Sequence, residues 1–254
     1  MKLFTVTTII ALTISFLPLS CFSAENSTAR ELIKRSDELM RGKSIAGIYS
    51  MEINTPRWKR KLSLQVYSLG REKIFIRILS PAKEAGIATL RIKNEMWNYL
   101  PSVERVIKIP PSMMLQPWMG SDFANDDLVK ESSIVNDYTH KIISEQDIDG
   151  HPVCKIELIP KPNAAVIWGK IIYWVRKDDY IPLREEFYNE KMELIKLLEY
   201  SDIGKVSDRI IPRTWKMKSI IKPNHYTIVK LVNVKYNTPI DESIFTLANL
   251  KKLQ

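Results

Sequence analysis

Few polar residues in this chain stand at spacings that do chemistry. Gly42-Lys43-Ser44 has the ending of a phosphate-binding loop, but Asp37 occupies the position of its opening glycine, and the tripeptide closes a helical pattern instead of starting one. His151 and Cys154 are three apart and both are metal-ligating types. No second pair completes a four-ligand set, and His140 and His225 have no carboxylate at a ligand spacing. Asp147 and Asp149 before Gly150 lack the third acid and closing Glu of a calcium loop, so they read as turn residues. The adjacent carboxylates Glu185-Glu186 and Asp178-Asp179 would point to opposite faces of a strand, which rules out a shared acid–base role. A Gly-x-Ser-x-Gly elbow, a zinc-protease helix and a dinucleotide glycine pattern are all missing from the sequence. The reading is a protein with no catalysis, no metal and no cofactor.

What the sequence offers instead is apolar and soft. Met113, Met114, Leu115, Trp118 and Met119 crowd between Pro110-Pro111 and Gly120-Ser121-Asp122, with Phe123 next, and fit neither a strand nor a clean helix period. Flexible, polarisable methionine suits a surface that accepts variable apolar ligands. Prolines 110, 111 and 117 keep the stretch out of a regular ladder, which predicts a lid over a hollow. A short helix should follow as far as Glu131, capped by Ser121 or Asp122, with Asp126 and Asp127 in its first turn. Trp97 and Tyr99 share one face of a strand and are assigned to the wall of the same hollow. The candidate ligand-binding set, cavity and lid together, is Trp97, Tyr99, Met113, Met114, Leu115, Trp118, Met119 and Phe123. Arg57, Lys59, Arg60 and Lys61 surround Trp58, a cluster that fits either a membrane-facing rim or a solvated hairpin end.

The elements that position these residues follow from periodicity. Ala29, Leu32, Ile33, Leu39 and Met40 fall mostly at helical spacing, predicting an amphipathic helix over residues 28–42, capped by Thr28 and stopped by Gly42. Period-two alternation then takes over: Leu62, Leu64 and Val66, then Ile74, Ile76 and Ile78. Further strands are expected at 87–92, 96–100, 106–109, 139–147, 153–159, 171–176, 183–188, 193–200, 213–219 and 226–236, with Asp149-Gly150 as a tight turn. About a dozen strands without αβ alternation, fixed repeat or linker make one mainly β domain. A sheet of that length curls, so the expected fold is a curved antiparallel sheet forming an incomplete β-barrel, with an N-terminal helix and a short helical lid.

The leader sets the compartment. Lys2 precedes an almost uncharged apolar run to Leu19, so residues 1–23 read as a signal peptide and residues 24–254 as the single mature domain. Cys21 and Ser23 supply small residues for cleavage before Ala24. Acylation of Cys21 is the less favoured processing, because Leu17 stands one place too early for a lipobox. The periplasm is the expected location. The formal charge of +9 falls by one with Lys2, and a basic exported chain suits anionic lipid or an acidic partner and not nucleic acid. Cleavage leaves Cys154 alone, so no intrachain disulfide is expected.

Five segments carry a family likeness. Residues 77–90 (RILSPAKEAGIATL), 96–101 (MWNYLP), 119–128 (MGSDFANDDL), 174–184 (WVRKDDYIPLR) and 241–250 (DESIFTLANL) resemble the LolA-like outer-membrane lipoprotein-sorting protein family, in order and spacing, over almost the whole mature chain. The resemblance implies an incomplete β-barrel closed by helices, whose apolar cavity takes the acyl chains of lipoproteins or lipids and delivers them towards the outer membrane. The partners it implies are an inner-membrane transporter and an outer-membrane acceptor. The alternative function is a cavity-bearing sensor of lipids or lipoproteins that signals to a membrane partner.

Overall fold

The computed structural model describes residues 22–130, 134–164 and 166–252. Cys21 and the rest of the predicted signal peptide, apart from Phe22 and Ser23, lie outside the described residues.

The first helix, α1 (Phe22–Arg41), runs straight through Thr28, so that residue is interior and not a cap. Its end is as expected: Gly42 takes φ +62° while its N–H still reaches the Glu38 carbonyl at 3.0 Å. A β-carbon at Gly42 would lie 2.9 Å from the Asn237 side chain, a second reason for glycine there.

Strands follow as β1 (Ser44–Asn54), β2 (Lys59–Leu69), β3 (Lys73–Ser80), β4 (Ala88–Ile92), β5 (Glu95–Leu100) and β6 (Arg105–Lys108). After the short helix α2 (Asn125–Lys130) come β7 (Tyr138–Ile148), β8 (His151–Pro160), β9 (Lys170–Arg176), β10 (Pro182–Tyr188), β11 (Leu194–Val206), β12 (Arg209–Ser219) and β13 (Tyr226–Tyr236), and the last helix is α3 (Leu247–Leu250). All 13 strands form one antiparallel sheet in the order β6-β5-β4-β3-β2-β1-β13-β12-β11-β10-β9-β8-β7. Hairpin succession supplies every neighbour except one, the β1–β13 pair that joins the two halves. The edges are β6 and β7, consecutive in the chain and unpaired with each other, so the barrel is incomplete. The described residues of their link, 109–130 and 134–137, cross the concave side.

Curvature comes from irregular registers. In the β1–β13 pair, Ile48 faces Asn233 while Tyr49 faces Leu231, which leaves Val232 as an extra residue. Similar shifts occur in the β2–β3, β7–β8, β9–β10 and β10–β11 pairs. At Asp149-Gly150 both residues have positive φ, the conformation a two-residue hairpin turn needs.

Three apolar layers result. On the concave side, Tyr49, Met51, Leu62, Leu64, Ile74, Ile76, Ile78 and Met96 pack under Trp118. Beside them α1 lays Ala29, Leu32 and Ile33 on Tyr138, Cys154, Ile156, Leu158 and Tyr173. Phe75, Leu90 and Tyr99, on the opposite face of β3–β5, are covered by Phe245 and Leu250 from the C-terminal stretch. Each fully buried aliphatic or aromatic side chain contributes roughly 1.5–3 kcal/mol.

Candidate binding cavity

Alternation and register together decide which side chains meet in the hollow. Tyr49 stands opposite Leu64, Val66 opposite Ile76, and Met51 opposite Val229. Across the other half, Trp215 pairs with both Val229 and Tyr200, Met217 with Leu198, Glu185 with both Leu198 and Tyr173, and Phe187 with Ile171. These residues form the wall of a cavity of about 260 Å³ at the junction of the two concave layers. Met40 and Asp37 of α1, Trp118 and Phe123 of the crossing segment, and Trp168 of the β8–β9 loop complete it. Ordinary small-molecule pockets span about 300–1,000 Å³, so an occupant of any length must displace something.

The crossing segment is what stands in the way. Trp118 is 3% exposed, and its indole N–H donates to Thr89 Oγ1 at 3.1 Å, while that hydroxyl donates to Asn98 at 2.7 Å. Met119 follows in the left-handed region at φ +50°, and Arg60, ion-paired to Glu84, donates to its carbonyl at 2.7 Å. Ser121 Oγ donates to the Trp118 carbonyl at 2.7 Å, so it folds the turn and does not cap the helix. Asp122 does not cap α2 either: its carboxylate accepts from the Thr227 hydroxyl at 2.7 Å, and its backbone N–H donates to the same hydroxyl at 3.0 Å. Asp127 takes the capping role by accepting from the Ala124 N–H at 2.7 Å.

Several polar groups of the wall have partners among the described residues, while the Ser68 hydroxyl is buried without a hydrogen bond. Asp127 also pairs with Lys196, a 5% exposed lysine on β11 whose ammonium lies 4.7 Å from the Trp168 ring centre and 5.3 Å from that of Phe187. On α1, Asp37 pairs with Arg41 at 3.0 Å and with Arg71, and Ser36 shares a 2.9 Å hydrogen bond with the Tyr173 hydroxyl. Glu185 accepts from the Tyr200 hydroxyl at 2.5 Å. Burial pushes the Tyr138 phenol up, which keeps it neutral. Among the described residues, the wall contains no histidine and no cysteine.

The sequence candidates divide three ways. Trp118 and Phe123 line the cavity; Met114 and Met119 are half-buried and pack beside it on the concave layer. Met113 and Leu115 are largely exposed. Trp97 and Tyr99 do not line the cavity at all: they belong to the opposite face, packed with Phe75 and Leu90, and Met96 is the residue of β5 that points inward. Period two sets alternate residues on opposite faces without saying which face is concave, and here both faces are covered. The sequence reading missed Tyr173, Tyr200, Trp215, Trp168, Glu185 and Asp37. A signal existed in Lys196 and Glu185, charges set on the inward-facing rows of apolar strands.

His151 contacts Asp178 at 2.6 Å, with Asp179 close by, but the Arg176 guanidinium lies 2.5 Å from the same ring, a cation where a metal would have to sit. Cys154 is fully buried in the core under α1, and burial pushes its thiol up to about 11.

The model of a family described as "Uncharacterized protein" matches residues 70–252. The chain belongs to that family. No curated protein matches it. Among solved structures, a DUF1329 family protein from Desulfovibrio piger superposes with a TM-score of 0.82 at 23% identity, covering 89% of this chain and 99% of that one. A putative outer membrane lipoprotein-sorting protein domain from Vibrio parahaemolyticus gives 0.79 at 23% identity, covering 89% and 100%. A LolA superfamily protein from Nitrosomonas europaea gives 0.73 at 22% identity, covering 87% and 98%. The fold is therefore the LolA-like incomplete barrel, as the sequence motifs imply.

Proposed function

We propose that this family member is a periplasmic carrier without chemistry of its own, which takes the acyl chains of lipids or lipoproteins into the concave hollow in exchange for the Trp118 segment and delivers them towards the outer membrane. On this reading residues 1–23 are removed on export and residues 24–254 act as one domain, with an inner-membrane transporter and an outer-membrane acceptor as partners. The observation that carries it is the composition of the hollow. Apolar side chains from both halves of a curved sheet face one space, Asp37 and Asp127 at its wall are ion-paired to Arg41 and Lys196, and the apolar groups that fill it sit on a segment outside the ladder. Each acyl methylene moved into such a wall contributes about 0.8 kcal/mol, so two or three chains suffice for tight but reversible holding. The shared fold with a putative lipoprotein-sorting domain is consistent with this.

The test is direct. Protein isolated from its own periplasm is expected to carry lipid or lipopeptide mass in native mass spectrometry. Phospholipid with brominated acyl chains should quench its tryptophan emission, less so in Trp118→Phe, and raise its melting temperature with dose. Lipid-free protein that no phospholipid or lipopeptide stabilises would overturn the carrier reading.

A further inference from the structure

The two ends of the sheet are chemically unlike. Asn54 pairs with Tyr226, and the Ile220 N–H donates to the Ile195 carbonyl at 2.8 Å, so the β1–β2, β12–β13 and β10–β11 turns lie at one end. The Arg60–Glu84 ion pair brings the turn after β3 to the same end. Large apolar side chains project there into solvent: Trp58 is 45% exposed, Ile221 62% and Met192 50%, with Ile220 beside them. The tips are fixed by their own backbone bonding. Thr55 Oγ1 accepts from the Trp58 N–H at 3.0 Å and donates to the Trp58 carbonyl at 2.9 Å, and Ser219 Oγ accepts from the Lys222 N–H at 3.1 Å. Trp58 and Ile221 are thus held outward on stiff turns, although burial would favour folding them in.

Exposed cations surround them: Arg57, Lys59, Lys61, Lys83, Lys191 and Lys222, none of which enters an ion pair among the described residues. Of the acids at this end, Glu84 is ion-paired to Arg60; Asp122 is hydrogen-bonded to Thr227, Glu193 to Asn189 and Glu52 to Asn54, and with Glu190 these four stand against the six cations. The opposite end has polar turns, with exposed Glu72, Asp149, Asp178 and Asp208 interspersed with exposed Lys93 and Lys205, and its exposed apolar side chains include Tyr180, Ile203 and Ile210.

We propose that the end bearing Trp58 and Ile221 is a docking surface for an anionic phospholipid membrane. Separate apolar tips insert between headgroups, with the tryptophan at the depth its amphipathic ring prefers, and the surrounding cations meet lipid phosphates. A folded protein partner would call instead for a contiguous, closely packed patch. The site adjoins the carrier machinery: a groove of about 770 Å³ between the two turns is lined by Trp58, Ile221, Lys222 and by Pro117, Gly120 and Asp122 of the crossing segment. Docking therefore presses on the segment that occupies the hollow.

The experiment is co-sedimentation of the mature protein with vesicles of phosphatidylcholine, alone or with about a third phosphatidylglycerol. Binding is expected to the anionic vesicles and to weaken about tenfold as salt is raised from low to high ionic strength. The double variants Trp58→Ser/Ile221→Ser and Arg57→Glu/Lys222→Glu should each lose about tenfold or more in affinity, and Tyr180→Ser/Ile210→Ser at the other end should lose nothing. Hydrogen exchange on the unmutated protein keeps the idea falsifiable whatever the variants do: vesicles should slow exchange at residues 55–58 and 220–225. Protein that stays in solution with anionic vesicles, equal loss in the control variant, or unchanged exchange at those turns would each overturn the proposal. Trp118→Phe, altered only in the cavity, should dock normally, so a failure to load lipid and a failure to dock are separate results.

Discussion

Both faces of β3–β5 are apolar, and each is covered by a stretch of chain outside the sheet, yet the two covers are held by different chemistry. The convex cover inserts Phe245 and Leu250 against Phe75, Leu90 and Tyr99, and Arg77, stacked 4.9 Å over Phe75, donates to the Asn249 carbonyl at 2.8 Å. The concave cover also buries an aromatic, Trp118, but it is pinned at polar points: Thr89, Arg60, Thr227 and Lys196. Water replaces most of a hydrogen bond when it opens, so the neutral Trp118–Thr89 bond is worth about 0.5–1.5 kcal/mol net, and the pins that involve Arg60, Asp122 and Lys196, which carry charged groups, about 1.5–3 kcal/mol each. A buried leucine or phenylalanine has no such substitute. On the carrier reading proposed above, the concave cover is the one that is exchanged, and the convex cover, held by Phe245 and Leu250 as well as by Arg77 and the Lys73–Glu242 pair, is the one that stays.

That contrast is most exposed to refutation at Leu250, which is fully buried. Leu250→Ala should cost about 2–5 kcal/mol in chemical denaturation, the usual range for a core truncation, and leave lipid affinity unchanged. A change in affinity without loss of stability would erase the distinction between the covers. Trp118→Ala comes next. A tryptophan removed from a fixed core costs about 3–5 kcal/mol, but a segment free to lift should cost closer to 2 kcal/mol and bind acyl chains more tightly, because the cargo no longer competes with the indole. Full core cost with no gain in binding would mark the segment as a permanent plug.

The smallest effect belongs to Asp122. Burial raises its carboxyl above the ordinary aspartate range, against a weaker lowering influence from the Thr227 hydrogen bond. The folded protein therefore holds a proton that the unfolded chain has already released, and the stability tied to it is complete below the ordinary value near 3.9 and lost as pH rises through the raised one. Asp122→Asn should match the parent at about pH 3 and exceed it near neutrality by less than about 1 kcal/mol, since the group is only half-buried and screened. Melting temperatures of both proteins across that range decide the matter; parallel curves would remove the pH dependence assigned to this anchor.

How much of this was legible beforehand follows the range of the interactions. Alternation at Leu62–Leu64–Val66 and Ile74–Ile76–Ile78 located strands correctly because neighbours two apart share a face whatever lies beyond them. The same rule could not orient Trp97 and Tyr99, since the sheet here is covered on both sides and either strip reads as core. The helix cap failed for a different reason: Asp122 meets Thr227, 105 positions away, a partner no local window contains. Trp118 was legible because prolines and methionines excluded its segment from the ladder, but its anchor on Thr89 was not. The helix end at Gly42 was readable from one residue type, while its start, with α1 extending to Phe22, was not.

On the carrier reading proposed above, the position of the two sheet edges bears on how large a cargo the molecule would tolerate. Because β6 and β7 are successive strands, the seam of the barrel is crossed by one covalent link, residues 109–137. Fully extended, 29 residues would reach about 95 Å, so the length of the link does not by itself hold the seam closed. Spreading the seam separates strands that share no ladder and leaves the twelve strand pairings intact. On that reading the vessel would widen the way a clasped cuff does, at its opening, by releasing the pins of the crossing segment. Capacity for chains of different length or number then depends on that one seam, while the register that shapes the wall stays fixed.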